Sequence, residues 1–502
     1  MRFPRSSGIL LHPTSLPGLY GSGDLGLSAR RFVDWLSEAG QSLWQMLPIG
    51  PVGPGNSPYA ALSAFAGNPL LIDLDDLVQR GWLEPDPEPP FRGLSPHRID
   101  YPAVTAYRMR RLQEAAERFF WNASSREREA FEGFCERERA WLDDYALFMA
   151  LHEHHRGSPW NSWDTPLALR QPDALAETRK LLAERVRFHA FTQWIFFQQW
   201  DALKRYANER GVRLFGDVPI FVDHHSADVW AHQRFFKLDK YGHPTVVAGV
   251  PPDYFSPTGQ RWGNPLYRWE TMAHEGYRWW IDRLRHALSL MDLIRIDHFR
   301  GFVACWEIPA SEPTAERGRW VAGPAEALFD ALEAALGRLP IVAEDLGVIT
   351  DEVRALRERY GYPGMRVLQF AFSGGPENTF LPHWYEPNTV VYTGTHDNDT
   401  TRGWFERATT HERAFACQYA NSDGREIHWD LIRLALASVA DQAVFPLQDV
   451  LGLGSEARMN YPGTSEGNWT WRFSWDQISP EHTRRLYQLT ALYGRCGPDR
   501  LF

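Results

Sequence analysis

The chain has 502 residues, 44% of them hydrophobic and 23% charged, a soluble-protein composition with no apolar run long enough to cross a membrane. Lys and Arg number 53 against 63 Asp and Glu, a formal net charge of −10, which argues against nucleic acid as a partner and leaves a neutral or cationic small ligand. The four cysteines (Cys135, Cys305, Cys417 and Cys496) lack metal-like spacing, and the apolar stretch Ile9-Leu10-Leu11 is too short for a signal-peptide core, so a reducing, cytoplasmic compartment is expected.

Eight short apolar, β-branched runs follow one another along the chain, at 8–12, 43–49, 213–222, 293–298, 340–345, 365–372, 389–393 and 443–449. Continuous apolar runs suit strands buried on both faces, as in a parallel sheet. Eight of them interleaved with helical patterns predict an α/β fold, a (β/α)8 TIM barrel spanning residues 1–502. From pattern alone a doubly wound open sheet is the alternative. The spacing is uneven. Residues 75–210 read as a mainly helical insertion, with one long helical stretch around 108–155 and a second over 173–209. Residues 223–267, rich in Gly and Pro, read as an irregular loop subdomain over a cleft.

Two motifs invite chemistry that their context does not support. Gly21-Ser-Gly-Asp-Leu-Gly26 matches a dinucleotide-binding pattern, but it begins well after the first strand, behind Pro13 and Pro17, where a simple turn fits better. His152-Glu-His-His155 lacks the i, i+4 histidine pair of a zinc helix and reads as a solvated helix end. The 22 tryptophans suit a large core, with some rings free to stack on sugar faces.

The acids carry more information. Asp217, Asp297, Glu344, Asp397 and Asp449 each lie at or just past the C-terminal end of an apolar run. In a barrel those ends converge on one face, where active sites form. One such acid is most simply a helix cap. Four or five in the same register favour chemistry, either oxygen ligation of a metal or glycoside cleavage by paired carboxylates. The neighbours favour sugars. Arg295, two residues before Asp297 and on the same side of its strand, would keep that carboxylate ionised. Val342 and Ala343 give Glu344 a less polar setting that would raise its pKa for acid work.

Several segments then match a known family: Gly-Ile-Leu-Leu-His-Pro-Thr-Ser-Leu-Pro-Gly (8–18), Ser-Pro-Tyr (57–59), Gly-Asp-Val-Pro-Ile-Phe-Val (216–222), Ile-Arg-Ile-Asp-His-Phe-Arg-Gly (294–301), Ala-Glu-Asp-Leu-Gly (343–347), Gly-Thr-His-Asp-Asn-Asp-Thr (394–400) and Arg-Met-Asn-Tyr-Pro-Gly-Thr (458–464). As a set they resemble the amylomaltases, or disproportionating enzymes, the 4-α-glucanotransferases of glycoside hydrolase family 77. The resemblance implies a retaining enzyme acting on α-1,4-glucans and maltooligosaccharides, with no metal, no cofactor and no obligatory protein partner. It implies Asp297 as nucleophile, Glu344 as general acid and base, and Asp397 as stabiliser of the transition state. It further implies that Asp217, Arg295, His298 and His396 line the donor side, and that Tyr59, Asp253, Phe255, Gln260, Trp262 and Asn468 line the rest of the cleft. An α-amylase-like hydrolase is the alternative within the same chemistry. Ser373 and Trp384 stand where the family pattern has Asp and Asn.

Overall fold

The computed structural model describes residues 2–91, 95–252, 256–464 and 466–496. Twelve strands occur among them: β1 (Ser6–Leu10), β2 (Leu43–Gln45), β3 (Arg213–Pro219), β4 (Val246–Val250), β5 (Gln260–Pro265), β6 (Leu293–Asp297), β7 (Ala304–Pro309), β8 (Arg319–Ala322), β9 (Ile341–Ala343), β10 (Gly364–Val367), β11 (Thr389–Tyr392) and β12 (Gln442–Pro446). Each of the eight apolar runs contains, or overlaps, one strand of a parallel sheet ordered β10-β11-β12-β1-β2-β3-β6-β9. The sheet curls until its edges meet, where the N–H of Ala343 donates to the carbonyl of Pro363 at 2.9 Å. This is a (β/α)8 barrel, and the open doubly wound sheet is excluded. The runs are apolar because both strand faces are covered; every residue of β1, β2, β9, β11 and β12 is buried. Gly8 is required in β1 because a Cβ there would stand 2.3 Å from the Leu43 Cβ.

The region between β2 and β3 is helical. The single stretch expected around 108–155 is two helices, Tyr101–Asn122 and Ser125–His154. Ser124 and Glu127 form a capping box that starts the second helix afresh, each satisfying a backbone N–H of the other. The stretch expected over 173–209 is likewise split at Leu182, between Pro172–Leu181 and Ala183–Glu209. Arg108, fully buried, fastens this region to the barrel: its guanidinium donates to the carbonyls of Tyr20, Ser22 and Ile72 and to Asp24. The glycine-rich segment 21–26 is therefore a clamped loop, with Gly21 at φ +80°. His152 meets His225 at 3.0 Å, tying the long helix to the loop after β3.

The described part of 223–267 is more regular than expected. β4 and β5 pair antiparallel, and β7 and β8, from the connection after β6, complete a four-stranded sheet ordered β5-β4-β7-β8. The partner strands lie more than 50 residues downstream of β4, beyond the reach of local pattern. No helix among the described residues is long and apolar enough to cross a membrane.

Candidate active site

Parallel register brings the first charged cluster together. Asp217 of β3 stands opposite Arg295 of β6, and Pro219 opposite Asp297. Side chains alternate along a strand, so Asp217, Arg295 and Asp297 all point into the barrel. Arg295 Nη1 donates to Asp217 Oδ2 at 2.6 Å and Nη2 to Asp297 Oδ1 at 2.7 Å. The Tyr59 hydroxyl donates to the same Asp217 oxygen at 2.7 Å. Burial opposes the charge on Arg295, but Asp217 and Asp297 outweigh it and hold the guanidinium well above its usual range. Asp217 is pushed upward by burial, against the pull of Arg295.

Glu344 follows β9 directly. Its N–H donates to the carbonyl of Ile296 at 3.0 Å, continuing the ladder to β6. Its two carboxyl oxygens accept the backbone N–H groups of His298 and Leu346, both at 2.8 Å. Burial, aided by Asp297 and opposed by Arg295, raises its pKa to about 7. His298 sits in the left-handed region at φ 54°, a turn that aims its main-chain N–H at Glu344. Its ring is held neutral, its pKa lowered to about 4 by burial.

Asp397 lies on the loop after β11, its side chain 46% exposed to the cleft. Its Oδ1 accepts from Asn460 Nδ2 at 2.7 Å and lies 3.4 Å from His396 Nε2. The loop is shaped by Asn398, whose Oδ1 accepts from the N–H and hydroxyl of Thr395. Tyr59 stacks on His396, with centroids 5.1 Å apart and planes 16° from parallel. It thus joins the Asp397 side of the cleft to the Asp217 side. Trp262, on β5 and 40% exposed, meets the His298 ring edge-on at 4.8 Å and donates to Gln260 Oε1 at 3.1 Å.

Of the sequence-derived site residues, Tyr59, Asp217, Gln260, Trp262, Arg295, Asp297, His298, Glu344, His396 and Asp397 thus form one connected cluster at the C-terminal rim. Asp253 and Phe255 lie outside the described residues. Asn468 differs from expectation in what it does. Its Oδ1 accepts from the Tyr461 N–H at 2.9 Å and its Nδ2 donates to Thr464, so both ends of the amide are taken up by Tyr461 and Thr464. Trp384 is exposed, its indole N–H held by the Pro376 carbonyl. Asp449 is not part of the open cluster; it is buried under Thr393 and Thr401, accepting both hydroxyls. Arg458 and Asn460 were missed: they lie in a segment quoted only as a motif, and nothing in their spacing points to Asp397. Among the described residues no group of three or more His, Cys, Asp or Glu side chains is arranged to hold a metal ion.

Known proteins are similar to this chain in sequence and fold. The profile of glycoside hydrolase family 77, described as 4-alpha-glucanotransferase, matches residues 11–478. The chain is 57% identical over 495 residues to a 4-alpha-glucanotransferase of Thermus thermophilus, covering 97% of this chain and 98% of that protein. It is 51% identical over 498 residues to one of Synechocystis sp., covering 98% of each. An amylomaltase from Streptococcus agalactiae, solved in complex with acarbose, superposes with a TM-score of 0.95 at 38% identity, covering 98% of this chain and 100% of that one. The chain therefore belongs to glycoside hydrolase family 77, the 4-alpha-glucanotransferases.

Proposed function

We propose that the chain is an amylomaltase, a 4-α-glucanotransferase that moves segments of α-1,4-glucans and maltooligosaccharides to the 4-hydroxyl of another glucan or of glucose. The observation that carries the reading is the pairing, on one barrel rim, of Asp297, ion-paired to Arg295, with Glu344, whose pKa is raised to about 7. One carboxylate is ready to attack while its neighbour still holds a proton near neutral pH.

In the first step an oxygen of Asp297 forms a bond to the anomeric carbon, the bond to the leaving 4-oxygen breaks, and Glu344 gives its proton to that oxygen. In the second, the acceptor 4-hydroxyl attacks the same carbon, the ester bond to Asp297 breaks, and the hydroxyl proton returns to Glu344. Two displacements retain the α configuration. Asp397, with His396 beside it, holds the donor sugar's hydroxyls and favours the oxocarbenium-like transition state. An acceptor hydroxyl on the same chain gives a cyclic glucan. Trp262 against His298 narrows the cleft on the β5 side and favours a sugar over water as acceptor. The steps draw on protein side chains and substrate alone. The compartment that fits is a reducing cytoplasm, with Cys135, Cys305 and Cys417 present as thiols.

Incubation of the pure protein with maltotriose tests the reading. The expected products are glucose, maltopentaose and longer glucans at a constant total of reducing ends. A steady rise in reducing ends identifies a hydrolase instead.

A further inference from the structure

We infer that Asn460 is a positioning residue for the reaction: it fixes one oxygen of Asp397 so that the other alone is presented to the sugar. The inference rests on the reading of Asp397 as the carboxylate that holds the donor sugar. Two segments far apart in the chain meet here. Asn460 Nδ2 donates to Asp397 Oδ1 at 2.7 Å, and Arg458 Nη2 donates to the Asp397 carbonyl at 2.6 Å. Arg458 Nε also donates to the Asn460 carbonyl at 2.7 Å, and its guanidinium lies 4.2 Å from the centroid of the Tyr461 ring. One arginine therefore ties the backbones of both residues, while the asparagine amide sets the carboxylate plane. Both contacts converge on Asp397, one on its main-chain carbonyl and the other on its partly exposed carboxylate.

The choice of an amide has a chemical reason. The Nδ2 of asparagine only donates, so its bond demands an accepting, unprotonated Oδ1. A freely rotating carboxylate would offer sugar hydroxyls either oxygen in many orientations, and loss of orientation in a reacting complex costs on the order of 100-fold in rate for a misplacement of about 1 Å. Loop 458–461 thereby sets the sugar-holding geometry from outside the loop that carries Asp397.

Two variants test this, assayed on maltotriose with thermal unfolding in parallel. Asn460→Ala is expected to lower kcat by on the order of 100-fold, with KM nearly unchanged. Asn460→Asp keeps the size but sets a second carboxylate against Asp397. Such a pair shares a proton, and the shared proton restores a donor, so this variant regains activity as pH falls while Asn460→Ala does not. His396, Tyr59 and Arg458, which face Asp397, are the same in both variants. The inference is overturned by a wild-type kcat in Asn460→Ala, or by an Asn460→Asp pH profile that overlays that of the alanine variant. Asp397→Ala separates the two levels. If it keeps turnover, the reading of Asp397 falls and takes the inference with it. If it is inactive while Asn460→Ala behaves as wild type, the inference alone falls.

Discussion

The main-chain N–H of His298 donates to Glu344 Oε2 at 2.8 Å, so the residue next to Asp297 also orients the carboxyl at the end of the adjoining strand. The turn that follows Asp297 thus also holds the second acid of the proposed reaction.

Glu344 sets the alkaline limit. With its pKa raised to about 7 by burial, kcat/KM should be level below that pH and fall about tenfold per unit above it, as the donated proton is lost. Glu344→Gln should lower kcat by roughly 100- to 10000-fold. Stability follows the same pH direction. A carboxyl raised above its unfolded value stabilises the fold below about 4.5 and loses that contribution as pH rises through 7. The amide of Glu344→Gln gives up one of the two accepted backbone N–H bonds at any pH, so its unfolding midpoint relative to wild type should be lower near pH 4 than at pH 8. Calorimetry at the two pH values checks this.

Arg295 should be indispensable to the fold as well as to turnover. Arg295→Met leaves Asp217 buried with its cation gone, a change costing about 3–5 kcal/mol. Tyr59→Phe removes one donor from the same carboxylate oxygen and should cost about 1–2 kcal/mol. Denaturant titration should rank wild type above Tyr59→Phe above Arg295→Met, with transfer activity lost in the arginine variant.

Trp262 bears on the fate of the intermediate. Its ring stands edge-on to His298, and Trp262→Ala opens that side of the cleft to water. Reducing ends released per transfer from maltotriose should rise several-fold. An unchanged ratio would remove Trp262 from the water-excluding wall.

Acid should loosen the joint between the long helix and the loop after β3. His225 Nδ1 accepts from the Trp160 N–H, so its other nitrogen carries the proton toward His152. Burial lowers the His225 pKa to about 4. A histidine depressed in the fold gives stability that is present above about 6.5 and lost as pH falls toward 4, because the unfolded chain takes the proton first. The wild-type unfolding midpoint should drop across that interval more steeply than that of His225→Asn.

Much of this protein is legible in one dimension. The barrel strands are visible because helices and neighbouring strands cover both faces, and such strands must be continuously apolar. Asp217, Asp297 and Glu344 are visible because strand ends in a barrel all open on one face. Helix breaks are visible only in part: Ser124 and Glu127 carry the capping signature, yet the apolar spacing continues across them and masks the break.

What local pattern does not contain is pairing between distant segments. Register alone places Asp217 against Arg295, 78 residues away. The sheet that joins β4 and β5 to β7 and β8 depends on hydrogen bonds between two separate connections. Asn468 turns inward because Tyr461 and Thr464 satisfy its amide, and Asn460 reaches Asp397 across 63 residues. The sequence by itself determined the eight strands and the acids at their ends, because burial and period are written residue by residue. Only the tertiary structure decided which donors hold which carboxylates, because a hydrogen bond is a property of two positions brought within 3 Å, whatever their separation along the chain.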